Sequence, residues 1–145
     1  MPRIERTSTV VWEGNVARGQ GRLSGRSGAF TDLPYSLPSR IGDPGGKTSP
    51  EELLAAAHGG CLTMSVASEL TQAGTPPTRL DTTCLIVMDE VEGEGHQIVG
   101  SHITIAVDAD AADDVVAAAI ERGDASCPFS TLLRKAGVAV TIARA

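Results

Sequence analysis

Between Leu53 and Ser68 the chain carries no formal charge, and this run, "LLAAAHGGCLTMSVAS", follows directly on "TSPEE". It constrains the fold more than any other stretch. Its start has the marks of a helix. Ser49 is a good N-cap, Pro50 suits the first helical position, and Glu52 completes a capping box with Ser49. Glu51 is left without a capping role. The helix is predicted to end near Ala73-Gly74, where "AGTPP" supplies a C-cap glycine and prolines. A helix that is apolar on every side must be covered on every side. One small sheet covers one face, so the remainder requires another layer or a second subunit. Gly59 and Gly60 each cost about 1 kcal/mol against alanine in a helix interior. They either admit close approach of another backbone or make room for a neighbouring side chain.

The rest of the chain reads as α+β. "STVVWEGNVARGQGRLSG" holds two strand-like runs around a turn at Gly14-Asn15. "GAFTDLPYSLPSR" continues with strand-like pieces broken by Pro34 and Pro38. "RIGDPGGKTS" is a loop. "RLDTTCLIVMDEVEGEGHQIVGSHITIAVDAD" predicts two strands around the turn "EGEG", with Cys84 in the first. "AADDVVAAAIERG" predicts an amphipathic helix closed by Gly123. A second short helix starts near Cys127-Pro128 and ends at Gly137, and "VAVTIARA" is a last strand. The sum is mostly antiparallel strands with one long buried helix and two short ones, as a single domain over residues 1–145.

Composition excludes several classes. Net charge is −6 with no basic run, which argues against nucleic acid or an anionic membrane as partner. The charged start "MPRIERTSTVVWEG" lacks the apolar stretch of a signal peptide. The uncharged run from Leu53 to Ser68 is shorter than the roughly 20 residues a membrane span needs. A cytoplasmic location is expected. There, three cysteines do not make a disulfide framework, and any disulfide would be transient and catalytic. With one Trp, one Tyr and two Phe, the core must be built from aliphatic side chains.

Cys61 sits mid-helix, so either it packs as a small hydrophobe or it is a nucleophile activated by a cation. Cys127 precedes Pro128 at a helix start, where backbone N–H groups favour a thiolate. His58 shares a face with Cys61. It reads as a core or interface histidine; a zinc site from His58, Cys61 and Cys127 would lack a fourth ligand. Cys84 reads as strand packing, and His96 and His102 as surface residues flanking a strand. Phe129 and Met64 either line a pocket or belong to the core.

"VWEGNVARGQG", "YSLPSR", "SPEELLAAAHGGCLTMSVASEL" and "GDASCPFSTLL" together resemble the OsmC/Ohr family, the osmotically inducible protein C and organic hydroperoxide resistance group. The likeness runs along nearly the whole chain and is nearer the OsmC branch. Gly59-Gly60 replace two alanines of the pattern, and Ser49 an asparagine. The resemblance implies an intertwined homodimer with an OsmC-like α+β fold. It also implies a cysteine-based peroxidase that reduces organic hydroperoxides, with hydrogen peroxide as a further substrate, in oxidative or osmotic stress defence. By position, Cys61 would be the peroxidatic cysteine, Cys127 the resolving one, Arg40 the active-site arginine and Glu51 its carboxylate partner. No metal, flavin or haem is implied. Resemblance to the Ohr branch implies an external dithiol of the lipoyl type as reductant. The rivals are a non-catalytic binder of a small lipophilic ligand in the dimer cleft and a metal-binding protein.

Helix geometry adds a constraint. Glu51 and Cys61, ten residues apart, differ by roughly 15 Å of rise and about 80° around the axis. Two such helices packed antiparallel about a twofold axis would bring Glu51 of one beside Cys61 of the other.

Overall fold

A computed structural model describes residues 2–145. They form two compact units, one ending at Pro50 and one spanning Glu51–Ala145.

The first unit is a three-stranded antiparallel sheet, β1 (Ser8–Glu13), β2 (Gln20–Gly25) and β3 (Leu33–Tyr35), in that order. Gly14 takes a positive φ of 93° where the chain leaves β1, a conformation that glycine adopts without a Cβ penalty. Gly21 lies opposite both Trp12 and Tyr35. With no Cβ there, the two rings meet, 5.7 Å apart between centroids and tilted by 55°. β1 is exposed along its length, Val10 by 54% and Val11 by 48%.

"SLPSR" departs from the strand reading. It forms a short helix, α1 (Leu37–Ile41), capped by Ser36. Ser39 N donates to Ser36 Oγ at 3.3 Å and Ser36 N to Ser39 Oγ at 3.1 Å, a reciprocal capping box in which serine takes the place of glutamate. Pro38 falls in the first turn, where its missing N–H costs nothing. Arg40 therefore stands on the last turn of a helix.

The second unit is organised by the long helix α2 (Pro50–Gln72). It ends as expected: Gly74 has φ +78°, and Thr75 N returns to Leu70 O. The hairpin of β4 (Arg79–Val91) and β5 (Gly95–Asp108) follows, then α3 (Asp113–Ser126), α4 (Pro128–Lys135) and β6 (Ala139–Arg144). The sheet order is β4-β5-β6, antiparallel between β4 and β5 but parallel between β5 and β6. Most pairings are antiparallel, as expected; the parallel edge arises because α3 and α4 form a crossover that returns the chain in the direction of β5. His96 and His102 lie within β5, not beside it. His102 is half-buried and bonds Thr141 Oγ1 at 2.7 Å, tying β5 to β6.

The core gathers Leu62, Val66 and Leu70 of α2, Ile103 and Ile105 of β5, and Val116, Ala119 and Ile120 of α3. Only one face of α2 is buried within this unit. On the other, Ala56, Gly60 and Met64 are exposed, Met64 by 76%. Gly123 does not close α3, which runs on to Ser126. It lies inside the helix because α3 crosses α2 there at close range.

Candidate active site

Three elements of the second unit converge on Cys61. The residue is half-buried on α2, and its sulfur faces the corner where α3 gives way to α4. Cys127 forms that corner. It is the C-cap of α3 and the N-cap of α4, and its side chain is fully buried in the core cluster. Its N–H bonds Asp124 O at 3.2 Å and its carbonyl accepts from Thr131 N at 3.1 Å. Both sulfurs are free thiols.

Burial pushes the Cys61 thiol above its ordinary value, because low dielectric disfavours the thiolate. The neighbouring Cys127 adds to that, as a hydrogen-bond partner and as a like charge. The backbone amide of Phe129 acts as a donor to Cys61 and pulls the other way. Phe129 is in the first turn of α4, whose amides have no intrahelical acceptor. The sequence reading gave that helix start to Cys127. The structure directs the Phe129 amide to Cys61.

A buried polar chain lies beside the thiols. His58 has no exposed surface, and its ring bonds Ser101 Oγ through Nδ1 at 2.6 Å and Ser130 Oγ through Nε2 at 2.8 Å. Arg134 grips Asp124 by two bonds, Nη1 to Oδ1 at 3.0 Å and Nη2 to Oδ2 at 2.7 Å. Burial works against the Asp124 carboxylate, but the bonds from Arg134 and Ser130 outweigh it and hold its pKa below the usual range. Burial likewise pushes His58 below its ordinary value, opposed by the charge of Asp124 and reinforced by that of Arg134. Ser101, Ser130, Asp124 and Arg134 carry no motif of their own, and the sequence reading passed over them. With both nitrogens of His58 bonded to hydroxyls, a zinc site using its ring would have to break one of those bonds. Among the described residues no group of three or more His, Cys, Asp or Glu is placed to hold a metal ion.

The other expected site residues are Glu51 and Arg40. Glu51 is in the first turn of α2, with Cys61 ten residues on in the same continuous helix. Arg40 belongs to the first unit. It lines a small pocket of about 170 Å³ there with Trp12, Val16, Tyr35 and Leu37. Cys84 on β4 packs against the same core, its thiol 3.5 Å from Ser101 Oγ. It lines an open groove of about 730 Å³ between α2 and β4, together with Ala56, Gly60 and Met64. Phe129 packs against the core. No helix among the described residues is long and apolar enough to cross a membrane.

Residues 42–143 match the family of OsmC-like proteins. The chain is 34% identical over 137 residues to peroxiredoxin OsmC of Escherichia coli, covering 90% of this chain and 91% of that one. An OsmC-like protein of unknown function from Vibrio cholerae shares the fold with a TM-score of 0.80 at 11% identity, covering 99% of this chain and all of the other. The organic hydroperoxide resistance protein OsmC of Legionella pneumophila gives a TM-score of 0.76 at 18% identity over 99% of each chain.

Proposed function

Because this chain belongs to the OsmC family, we propose that it is a thiol-dependent peroxidase that reduces organic hydroperoxides. The observation that carries the reading is the pairing of Cys61 with Cys127 across α2 and the start of α4. Two thiols on separate elements, 66 positions apart, converge in a unit with an OsmC-like fold.

The Cys61 thiolate attacks the peroxide O–O bond. The bond breaks, an alcohol leaves with a proton, and Cys61 becomes a sulfenic acid. The Cys127 thiol then attacks the Cys61 sulfur. An S–S bond forms and water departs. An external dithiol resets the pair by exchange and is itself oxidised to a disulfide. Cys127 is fully buried and Cys61 is not, so the reductant enters at Cys61.

Arg40 is assigned the role of holding the Cys61 thiolate and donating to the peroxide oxygens, with Glu51 orienting its guanidinium. Arg40 precedes the segment 42–143 that matches the family, so its role rests on "SLPSR" alone. A homodimer is part of the proposal. Val10, Val11, Met64 and the groove beside Gly60 offer apolar surface of the kind an interface buries. A dithiol of the lipoyl type is the proposed reductant, and the cytoplasm the proposed site of action.

The rival is a non-catalytic binder of a small lipophilic ligand, supported by the apolar groove between α2 and β4. Peroxide consumption in the presence of a dithiol separates the two. A tert-butyl or fatty-acid hydroperoxide should be reduced faster than hydrogen peroxide. No consumption of any of the three by the fully reduced protein would favour the binder.

A further inference from the structure

His58 bonds hydroxyls on two separate elements, Ser101 Oγ of β5 at 2.6 Å through Nδ1 and Ser130 Oγ of α4 at 2.8 Å through Nε2. Arg134, also on α4, grips Asp124 of α3 by two bonds.

These bonds bracket the thiol pair. His58 stands three residues before Cys61, on the same face of α2. Ser130 lies in the first turn of α4, whose N-cap is Cys127. Asp124 lies in the last turn of α3, whose C-cap is also Cys127. The His58–Ser130 bond thus ties the α4 side of the Cys127 corner to the turn of α2 that carries Cys61, and the Arg134–Asp124 pair holds α3 to α4 across the corner. We propose that His58 is a positioning residue that clamps the Cys127 corner against Cys61 so that the two sulfurs can close into a disulfide. The inference rests on the reading of these two cysteines as a redox pair. A disulfide needs a narrow range of Cα spacing and of dihedral angle, so a corner free to drift closes slowly.

The test measures closure of the Cys61–Cys127 bond with diamide, by stopped reaction and peptide mapping. Diamide takes two hydrogens from the two thiols, its N=N bond is reduced to a hydrazine, and the S–S bond forms. In His58→Gln the side-chain amide reaches the position of Nε2 and can bond Ser130. In His58→Asn it reaches only the position of Nδ1. Closure should stay within about threefold in the Gln variant and slow by about tenfold or more in the Asn variant, the scale on which a misplaced reacting group costs rate. Equal rates in the two variants, as mere packing would give, overturn the clamp. If the Asn variant does not fold, Ser130→Ala takes its place, and closure as fast as in the unaltered protein is the overturning result. Diamide closure involves no peroxide. A protein that closes with diamide but consumes no peroxide refutes the peroxidase reading and leaves the clamp standing.

Discussion

Gly123 on α3 and Val66 on α2 are so close that a Cβ on the glycine would lie 2.8 Å from Val66 Cγ2 and 3.0 Å from Val66 N. The second of these atoms is backbone and cannot rotate away. Gly123→Ala gains about 1 kcal/mol in helix propensity but forces two core helices apart, at a cost of about 1–3 kcal/mol. The net result should be a lower urea midpoint. Gly60→Ala is the comparison: a Cβ there meets nothing within 4 Å in the chain. A midpoint for Gly123→Ala at or above that of the parent would mean that the helices are free to separate.

Gly123 also shows where sequence reasoning stops. A glycine near the end of an amphipathic run looks the same whether it caps a helix or lets another backbone approach. The ends of α2 and the β4–β5 turn were legible because local residues determine them: Pro50, Gly74, Gly93 and Gly95. α1 was not, since five residues are too few to show a helical period. The direction of β6 depends on packing of the crossover and not on its own residues. Cys61 and Cys127 could be singled out from motif and resemblance. The partners of His58 could not, because they lie 43 and 72 positions away and are ordinary serines.

The three cysteines should separate cleanly by substitution. Cys61→Ser should abolish peroxide turnover. Cys127→Ser should allow one oxidation that stops at the sulfenic acid or proceeds to over-oxidation. Cys84→Ser should stay close to the parent rate, since its hydroxyl can still donate to Ser101. Trapping the sulfenic acid with dimedone and locating it by mass spectrometry reads all three. A sulfenic acid on Cys127 in the Cys61→Ser protein would reverse the assigned roles.

Acid should destabilise the fold in a segment traceable to His58. Burial holds its folded pKa below the ordinary 6.5 that it regains on unfolding. Between the two values the unfolded chain binds more protons, so stability falls as pH drops below about 6.5 and levels off once the folded value is passed. The ring faces Ser101 and Ser130 and feels the charges of Asp124 and Arg134. Asp124, also depressed, withdraws its contribution only below about 3.8. Urea midpoints taken at stepped pH should show the upper segment flattened in His58→Gln. An unchanged slope would place the proton uptake on another group.

Arg40 should matter more for rate than for folding, since it is exposed on the last turn of α1. Arg40→Lys should be a poor substitute, because lysine cannot make a planar two-point contact. The expected loss is about tenfold or more in kcat/KM, as for other charge-stabilising groups, with the urea midpoint nearly unchanged. Full activity in Arg40→Ala would remove Arg40 from the mechanism.

Glu51 and Cys61 belong to one continuous helix, Pro50–Gln72, so about 15 Å of rise separates them within a chain. No glutamate side chain spans that distance. If Glu51 supports the reactive thiol through Arg40, the supported Cys61 should belong to the partner subunit, and the active site should be composite. Co-expression of two inactive variants, Cys61→Ser and Glu51→Ala, tests this. In a heterodimer with shared sites, the intact Glu51 of one chain meets the intact Cys61 of the other, and about half of the normal sites per dimer are rebuilt. With a self-contained site in each chain, one lacks the thiol and the other the carboxylate, so nothing returns. The measurement is peroxide consumption by heterodimers isolated with two different affinity tags. Inactivity in those heterodimers would show that Arg40 alone spans the gap within a single chain or that Glu51 acts elsewhere.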